Sequence, residues 1–405
     1  MKIINCRNCN KKKLSHLFSL GNISFTGKFP KKNQEIKKAP LDLIICNQCK
    51  LVQLSHKFNL RYLYGPDYGY RSGINKTMVD HLKKVVFKAI KKTNIKENDM
   101  VLDIASNDAT LLKNYSKKII TFGIDPLVNK FKKNYLNIDY KISDFFTQSK
   151  IEKKTKKKFK IITALSVFYD SENPNKFLND VKNLLETNGL FILEFADLAS
   201  IIKKKMFDTI CHEHLEYYSS KIIVDMCKKN NLKVIDIFTN DINGSSKQFY
   251  ITKENSKFKS NKSKINKILN EEKKMKIHSK KILLDFFNDI KKLKISLLKL
   301  IRKIKKRNQT IHAYGASTKG NVLLQYFNIT KSDIDFVSER NPLKYNLYTP
   351  GTKIKIISEK KSREMKPNFY LVLPWHFKKE ILIREKNIRN KGTKFIFPLP
   401  KVQVL

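Results

Sequence analysis

The sequence predicts an α/β protein in which a small cysteine-containing domain precedes two α/β units. Its 405 residues suit two or three domains of about 100–200 residues each. From about residue 76 onward, apolar runs alternate with amphipathic stretches, a pattern that is typical of βαβ units with a mostly parallel sheet. Hydrophobic residues make up 41% of the chain, which is enough to build buried cores.

The first part, residues 1–75, carries two Cys-x-x-Cys pairs, and we expect it to be rich in loops. The second part, residues 76–240, has the pattern of the first α/β unit. Here we expect the helices Met78–Lys91 and Lys176–Leu185, and the strands Met100–Ile104, Thr121–Ile124, Lys160–Leu165 and Leu190–Phe195.

The third part, residues 241–405, begins with a Lys-rich stretch, Asn261–Lys306, whose apolar residues recur with helical spacing. We expect a helix that packs on its own protein and exposes its lysines, with a membrane-surface helix as the alternative. A strand then runs from Ile311 into a turn at Gly315, and a helix follows from Gly320. Further strands are expected at Phe336, Phe369–Leu373 and Phe395, which completes a second α/β unit.

The formal net charge of +47 by itself suggests nucleic acid, an anionic membrane or an acidic substrate as the partner. Only 9 of the 83 basic residues are Arg, whose planar guanidinium is suited to phosphates and base edges. The lysines are spread from end to end, so we interpret the charge as mostly solvated surface and expect no nucleic acid partner. A basic zinc-containing protein that binds nucleic acid or an anionic surface is the alternative class.

The sequence shows neither the pattern of a secretion signal nor a run of 18 apolar residues. We therefore expect a cytoplasmic protein that does not insert stably into a membrane. The oligomeric state stays open, and a monomer is compatible with the sequence.

Four cysteines in two tight pairs, Cys6 with Cys9 and Cys46 with Cys49, have the spacing of a zinc site. Such pairs in a chain without a secretion signal favour a metal over disulfides. With sulfur at all four positions the site would be closed, so we expect Zn²⁺ to hold the domain together, far from any chemistry. Reduced cysteines without a metal are the alternative.

The segment Val101–Ala109 predicts a strand that turns into a helix, and Asp125 ends the next strand. A carboxylate in that second position suits the two hydroxyl groups of a ribose. A dinucleotide site would have G-x-G-x-x-G at the first turn, and this turn contains no glycine. The sequence therefore favours an adenosine ligand without phosphates, S-adenosylmethionine, over an ordinary βα turn.

The segment Asp208–Ser219 contains the run His212-Glu213-His214. The two histidines are two residues apart, unlike the i, i+4 pair of a helical zinc site. A histidine has the pKa for proton transfer near neutrality, and a neighbouring Glu can orient it. We therefore favour a general base over structural histidines or a second metal site.

The segment Tyr314–Asn321 lies at the predicted strand-to-helix turn and contains glycine, two hydroxyl groups and Lys319. Backbone N–H groups and the helix dipole can make such a turn an anion site. The spacing of a Walker A loop is absent. We expect this turn to contact a phosphate-bearing substrate such as a nucleotide, with a plain helix start as the alternative.

In their order along the chain, these segments resemble the sugar C-methyltransferases, class I S-adenosylmethionine enzymes that methylate a carbon of nucleotide-linked 4-keto-deoxysugars. The resemblance covers nearly the whole chain, and the ordered series is specific although each motif alone is weak. Besides the cysteine pairs, the motifs are Cys49-Lys-Leu-Val-Gln-Leu, Tyr68-Gly-Tyr70-Arg-Ser72-Gly, Asp103-Ile-Ala-Ser-Asn-Asp, Phe168-Tyr-Asp-Ser-Glu-Asn-Pro, Cys211-His-Glu-His-Leu-Glu-Tyr-Tyr-Ser, Gly315-Ala-Ser-Thr-Lys-Gly-Asn and Leu373-Pro-Trp-His-Phe.

The resemblance implies a zinc-binding domain at 1–75, a Rossmann-like S-adenosylmethionine-binding domain at 76–240, and a second Rossmann-like domain at 241–405 that helps to hold the nucleotide sugar. The implied catalytic residues are His214 as base, Glu213 beside it, and Tyr68 or Tyr70 near the donor or the sugar. The expected cofactor-binding residues are Tyr70, Ser72, Asp103, Ala105, Ser106, Asn107, Asp125, Pro126, Phe145 and Ser166. The expected substrate-binding residues are Asn243, Gly244, Ser245, Gly315, Ser317, Thr318, Lys319, Asn321, Asn341, Trp375 and His376.

The sequence departs from the family pattern at four positions. Ala105, Ala109 and Ser245 stand where the family usually has glycine, and Cys211 replaces an aromatic hydroxyl that some members have before His-Glu-His. An alanine at the two turn positions suits negative φ angles, which we expect here. The loss of the hydroxyl at position 211 removes one candidate group for stabilising an enolate.

The expected function is methylation of a nucleotide-diphospho-4-keto-deoxysugar at C3 by an S-adenosylmethionine-dependent enzyme. A carbon beside a ketone becomes nucleophilic when a base such as His214 removes its proton, and hydrogen-bond donors stabilise the enolate oxygen. Methyl transfer then depends largely on positioning, and needs no metal at the reacting atoms. Methylation of an oxygen or a nitrogen on a similar sugar is the alternative within this class.

Overall fold

The computed structural model describes residues 1–65 and 67–405. The strands are β1 (Leu14–Ser24), β2 (Lys38–Cys46), β3 (Val52–Leu54), β4 (Met100–Ile104), β5 (Ile120–Ile124), β6 (Tyr140–Ile142), β7 (Phe159–Leu165), β8 (Leu185–Phe195), β9 (Glu216–Tyr217), β10 (Leu232–Asn240), β11 (Ser246–Lys253), β12 (Ile311–Tyr314), β13 (Phe336–Glu339), β14 (Ile356–Ser358), β15 (Phe369–Val372), β16 (Lys394–Phe397) and β17 (Gln403–Val404). The helices are α1 (Leu60–Leu63), α2 (Lys76–Thr93), α3 (Gln148–Glu152), α4 (Pro174–Leu184), α5 (Leu198–Lys203), α6 (Ser220–Lys229), α7 (Lys262–Lys274), α8 (Lys280–Lys305), α9 (Thr318–Phe327), α10 (Glu359–Glu364), α11 (Lys378–Arg384) and α12 (Lys386–Asn390).

The N-terminal sheet is antiparallel and has the order β1-β2-β3-β9. The expectation of a loop-rich segment is wrong here, because β1 and β2 are 11 and 9 residues long. Register shifts in β1, between His16 and Phe18 and between Ser19 and Asn22, interrupt the alternation by which a strand is recognised in a sequence. The last strand, β9, comes from the segment that carries His214.

The middle sheet has the order β10-β11-β8-β7-β4-β5-β6. It is parallel except for β11, which runs antiparallel to both of its neighbours. The expected mostly parallel sheet is confirmed, and β4 has the expected bounds. The other expected strands begin one to five residues earlier than their apolar cores suggested, and α2 extends two residues beyond each expected end.

The C-terminal sheet has the order β14-β13-β12-β15-β16-β17 and is parallel except for β17, which confirms a second α/β unit. The helix expected from Gly320 begins at Thr318, because the Ser317 side chain caps it by accepting the Gly320 N–H at 3.0 Å. The strand order reverses direction between β12 and β15. The carboxyl ends of these two strands therefore border a crevice of the kind that binds ligands in open α/β sheets.

The Lys-rich stretch forms two helices, α7 and α8, rather than one. The apolar stripe of α8 is buried and packs against β1, where the Phe18 and Phe287 rings stack with centroids 4.4 Å apart. The helix therefore packs on its own protein, as expected. Its buried residues are Leu283, Phe286, Ile290, Leu293, Leu297, Ile301 and Ile304.

Among the described residues, none of the helices combines the length and the apolar character that crossing a membrane requires. The domain limits at residues 75 and 240 stay predictions. The sheets do not follow these limits strictly, since β9 of the middle segment completes the N-terminal sheet.

Candidate active site

A cavity of about 500 Å³ lies between the carboxyl edges of the middle and C-terminal sheets, and residues 60, 64, 68–72, 74 and 75 form part of its wall. This volume is in the range of small-molecule sites. Most of the expected site residues line it: Tyr68, Tyr70, Ser72, Asp103, Ala105, Ser106, Asn107, Asp125, Pro126, Phe145, Ser166, Glu213, His214, Asn243, Gly315, Ser317, Thr318, Lys319, Asn341 and His376.

Four expected substrate-binding residues lie behind this wall. The Trp375 indole N–H donates to the Asp208 carboxylate at 2.8 Å, and Gly244 packs against the same indole. The Asn321 amide donates to the Thr26 carbonyl at 2.7 Å, and the Ser245 hydroxyl accepts from Ser200. These residues support the wall and do not border the cavity.

Two buried acids stand at the middle-sheet end of the cavity. Burial raises the pKa of Asp103 to about 7 and that of Asp125 to about 6. The Asp125 carboxylate accepts the Asn107 N–H at 2.9 Å and the Leu127 N–H at 2.6 Å. A carboxylate has about four lone-pair sites, so Asp125 can still accept the two hydroxyl groups of a ribose.

The turn after β4 is strained. Ala105 and Ala109 both have φ +58°, so the expectation of negative φ angles at these two positions is wrong. Neighbouring contacts hold the turn: the Ala105 N–H donates to the Ile124 carbonyl at 2.8 Å, and the Tyr135 hydroxyl donates to the Asn107 carbonyl at 2.9 Å. A left-handed alanine costs about 1–2 kcal/mol, which these contacts offset.

The segment from Tyr68 to Gly73 is tied to this turn. The Ser72 N–H donates to the Asn107 side chain at 2.9 Å, and the Gly73 N–H donates to the Asp108 carboxylate at 3.1 Å. Tyr68 is half-buried, whereas Tyr70 is 44% exposed. The sequence left open which of the two tyrosines approaches the donor or the sugar. The two side chains differ in exposure, and Tyr68 is the one packed beside Glu213.

His214 has a defined tautomer. Its Nδ1 lies 2.7 Å from the Thr209 carbonyl oxygen, which can only accept, so Nδ1 carries the proton and the lone pair is on Nε2. The ring packs on Tyr169 with centroids 4.1 Å apart. Burial, together with the nearby Lys319 charge, lowers the pKa of His214 to about 3. The imidazole is therefore neutral at physiological pH and can accept a proton.

Glu213 was expected to orient His214, but it does not contact the His214 ring. Its carboxylate accepts from the Thr26 hydroxyl at 3.5 Å and lies beside Tyr68 and Gly27 of the N-terminal half. The orienting contact of His214 comes from the Thr209 carbonyl instead. Burial raises the pKa of Glu213.

His212 is a structural histidine. Its Nε2 donates to the Ala39 carbonyl at 3.0 Å, and its ring packs edge-on against Phe25 and Phe58. It is fully buried and lies away from the cavity wall. The two histidines of the motif thus have different surroundings.

The four cysteines of the first domain come together as the spacing predicts. Their Sγ atoms lie within 4.8 Å of one another, and the Cys6–Cys49 and Cys9–Cys46 pairs are 3.5 Å apart. Sulfurs at the corners of a zinc tetrahedron are about 3.8 Å apart, so the group fits Zn²⁺. In the described part of the chain no other group of potential ligands has such geometry, which gives the metal alternative for His-Glu-His no support.

The loop that binds zinc is connected to the histidine motif. Arg7, between Cys6 and Cys9, donates to the Leu54 and His56 carbonyls at 2.7 and 2.8 Å. Its Nε also lies 3.5 Å from the carboxylate of Glu216, and both side chains are buried. Because Glu216 follows His214 by two residues, the zinc loop helps to hold the backbone of the histidine motif.

The C-terminal wall contributes Lys319 from the first turn of α9. Its Nζ donates to the Asn243 carbonyl at 2.9 Å, which joins the C-terminal and middle parts of the chain. The Asn243 amide in turn donates to the Ser166 hydroxyl at 3.1 Å. The Asp208 carboxylate is close enough to raise the pKa of Lys319, although burial has the larger, opposite effect.

Several wall residues were missed in the sequence. Glu339, at the carboxyl end of β13, accepts the Ala316 N–H at 2.6 Å and the Asn341 N–H at 2.8 Å. It stands in the second α/β unit where Asp125 stands in the first, and the same strand-end rule could have found it. The others are Tyr169 and Asp170, which lie in the motif that begins at Phe168 but were assigned no role, and Arg340, Lys344, Glu359 and Arg384, which carry no recognisable spacing.

Three family models match consecutive segments of the chain: a zinc binding domain at residues 6–64, a methyltransferase domain at 70–237, and a C-methyltransferase C-terminal domain at 241–400. The C-methyltransferase NovU of Streptomyces niveus is 26% identical over 371 residues, which cover 90% of this chain and 87% of that protein.

Solved structures of methyltransferases match less than half of the chain. An S-adenosylmethionine-dependent methyltransferase from Clostridium acetobutylicum has 16% identity and a TM-score of 0.34, covering 43% of this chain and 91% of its own. Magnesium protoporphyrin IX methyltransferase from Synechocystis has 15% identity and a TM-score of 0.34, covering 48% and 89%.

The fold and the matched domains define a class I S-adenosylmethionine-dependent methyltransferase. The matched segments place a zinc binding domain before this methyltransferase domain and a C-methyltransferase C-terminal domain after it, and the chain is similar to a C-methyltransferase over 90% of its length. The acids and the open turn at the middle-sheet end fit the adenosine part of the methyl donor.

Replacing Ala105 by Gly is expected to stabilise the protein by about 0.5–1 kcal/mol, since the relief of left-handed strain exceeds the entropy that glycine adds to the unfolded chain. The melting temperature should rise. As the matched control, Ala164→Gly, in buried strand β7, should lower the melting temperature. Equal losses in both variants would contradict the strain at Ala105.

Replacing Arg7 by Met should destabilise the protein, because it removes the hydrogen bonds to the Leu54 and His56 carbonyls and leaves buried Glu216, whose pKa burial raises, without its cation. Thermal unfolding with zinc content measured in parallel checks this. The double variant Arg7→Met/Glu216→Gln should recover part of the loss. If the double variant is as unstable as the single one, the ion pair is not the cause.

Proposed function

We propose that this enzyme methylates C3 of a nucleotide-diphospho-4-keto-deoxysugar, and that His214 is the base that removes the C3 proton. The observation that carries the proposal is the His214 tautomer: a carbonyl holds Nδ1–H, so Nε2 is available on a ring that lines the cavity. General bases of this kind contribute about 10²–10⁴-fold to rate.

The composition of the cavity supports a substrate that spans two domains. Its middle-sheet end has the acids suited to the ribose of the donor, and its C-terminal wall carries Arg340, Lys344 and Arg384, which suit a diphosphate. His214 stands on the wall between these ends. The similarity to a C-methyltransferase supports carbon as the acceptor.

The residues divide the work as follows. Bound S-adenosylmethionine supplies the methyl group and leaves as S-adenosylhomocysteine. Asp125 and the turn after β4 bind the donor, Tyr68 and Glu213 close the cavity on the N-terminal side, and His214 takes up the proton. The closed zinc site takes no part in these steps and maintains the first domain.

Hydrogen exchange at the sugar carbon tests this proposal. Incubating the enzyme in D₂O with nucleotide-4-keto sugars, without methyl donor, should exchange the C3 hydrogen, as read by NMR. His214→Gln should slow exchange by at least about 100-fold while S-adenosylmethionine still binds. His278→Gln, which alters a histidine that does not line the cavity, should exchange like the unaltered enzyme.

Two results would contradict the proposal. Methyl transfer without any exchange would indicate an oxygen or nitrogen acceptor, since only carbon methylation passes through an enolate. Normal exchange in His214→Gln would exclude His214 as the base.

The exchange rate should also be nearly independent of pH between about 5 and 8. The pKa of His214 is lowered to about 3, so the active neutral ring persists as the pH falls through 6.5, the ordinary histidine value. Asp103 and Asp125 stand at the donor end of the cavity. Because the methyl donor is omitted, their titration does not change the measured exchange rate through donor binding. A half-maximal rate near pH 6.5 would show that burial does not lower this pKa.

A further inference from the structure

Three cationic or titratable side chains of the cavity come from different parts of the chain and converge on one region. Lys319 belongs to α9, His376 to the turn after β15, and His214 to the segment before β9. Each is only partly exposed, and each lines the cavity, so its accessible surface faces the substrate. The sequence had suggested a diphosphate contact for Lys319.

The ammonium group of Lys319 is close to the proposed base. Its charge contributes to the lowered pKa of both His214 and His376. Its Nζ reaches across the boundary between the two sheets to the Asn243 carbonyl, 2.9 Å away. An ammonium has three N–H donors, so this contact leaves donors for a ligand atom.

The turn around Lys319 is poorly suited to a phosphate. The Glu339 carboxylate already accepts the Ala316 N–H at 2.6 Å, and the Ser317 hydroxyl accepts the Gly320 N–H at 3.0 Å. A phosphate bound at this turn would lie close to the negative charge of Glu339. The candidate diphosphate contacts of the C-terminal wall are Arg340, which faces Glu359 and Glu380 at 3.9 and 3.8 Å, and Lys344, which donates to the Ala316 carbonyl at 2.6 Å and has two further N–H donors.

We propose that Lys319 is a catalytic residue whose ammonium group donates a hydrogen bond to the ketone oxygen of the substrate and stabilises the negative charge that forms there. This inference rests on the proposed function of His214. The C–H bond beside the ketone breaks, its electron pair forms the C=C bond of the enolate, and the carbonyl π electrons move to the oxygen. The proton goes to His214 Nε2.

The charges balance in this arrangement. Before the step, the neutral imidazole faces one cation. Afterwards an imidazolium and an ammonium flank the enolate oxygen, and each attraction is strengthened by the low dielectric of the cavity. Asp208, held by the Trp375 indole at 2.8 Å, is the carboxylate that opposes the loss of the Lys319 proton. Asp208 is therefore a positioning residue.

The same arrangement predicts how Lys319 acts on the pH profile. The titratable groups around His214 are Lys319, Tyr169 on its ring face, Tyr217, whose hydroxyl donates to the His214 carbonyl at 3.0 Å, and Glu213 and Cys211 of its own segment. Of these, Lys319 is the cation whose charge opposes protonation of His214. Removing that charge should move the pKa of His214 toward its ordinary value.

The test compares Lys319→Met with Lys344→Met, which removes a second lysine of the cavity wall. With saturating nucleotide-4-keto sugar, Lys319→Met should slow hydrogen exchange by about 10²–10³-fold, with little change in the KM for the sugar. The acid limb of its residual exchange should move to higher pH. Lys344→Met should instead raise this KM and retain the exchange rate at saturation.

The inference is overturned if Lys319→Met raises the KM and exchanges normally at saturation, since that is the result of a diphosphate contact. If the unaltered enzyme exchanges no substrate hydrogen, the proposed function falls and this inference with it. Binding of S-adenosylmethionine reports whether Lys319→Met is folded. If Lys319→Met is not folded, Lys319→Gln is used in its place. An NMR titration of the His214 ring in Lys319→Met or Lys319→Gln needs no substrate. A His214 pKa equal to that in the unaltered enzyme would also overturn the inference.

Discussion

The short pairing between β3 and β9 is the contact on which the active-site arrangement depends, because it joins the N-terminal domain to the segment that carries His214. The backbone pairing is reinforced by the buried contact between Arg7 and Glu216. A buried carboxylate is costly unless a cation faces it, so the Cys6–Cys9 loop must keep its shape for the pair to persist. The zinc-binding domain thus holds the segment that carries His214, the proposed base.

A second constraint is that two α/β units place their carboxyl edges around one cavity. Each unit ends its second strand with an acid, Asp125 or Glu339, that accepts backbone N–H groups of the neighbouring turn. In the first unit the arrangement suits a ribose. In the second unit the Glu339 carboxylate brings negative charge to the turn that precedes α9, whose first turn carries Lys319.

The large positive charge has little to do with this site. The cavity uses a few cations in low-dielectric surroundings, such as Lys319 and Lys344, and their effect depends on burial and on the partner each one faces. Most other lysines lie on exposed helix faces, as in α8, where water and salt screen them. The net charge therefore describes the surface, and the chemistry depends on the environment of individual side chains.

The sequence by itself determined the features that rest on local pattern. The apolar runs predicted both parallel sheets, the cysteine spacing predicted the zinc site, and the ordered motifs predicted the methyltransferase class together with many, but not all, of the residues that line the cavity. These predictions succeed because the burial of side chains alternates with a fixed period along a helix or strand, and because a tetrahedral zinc site needs closely spaced thiols.

The tertiary structure alone decided which chemical surroundings each residue has. It placed Thr209, and not the adjacent Glu213, on the His214 ring, and it gave Ala105 and Ala109 left-handed angles that their side chains disfavour. It also separated the structural His212 from the candidate base and brought Lys319 near that base. The Thr209–His214 contact spans only five residues, whereas the other features arise from contacts between residues farther apart in the chain. No local sequence pattern encodes the pKa, the tautomer or the backbone strain that these contacts produce.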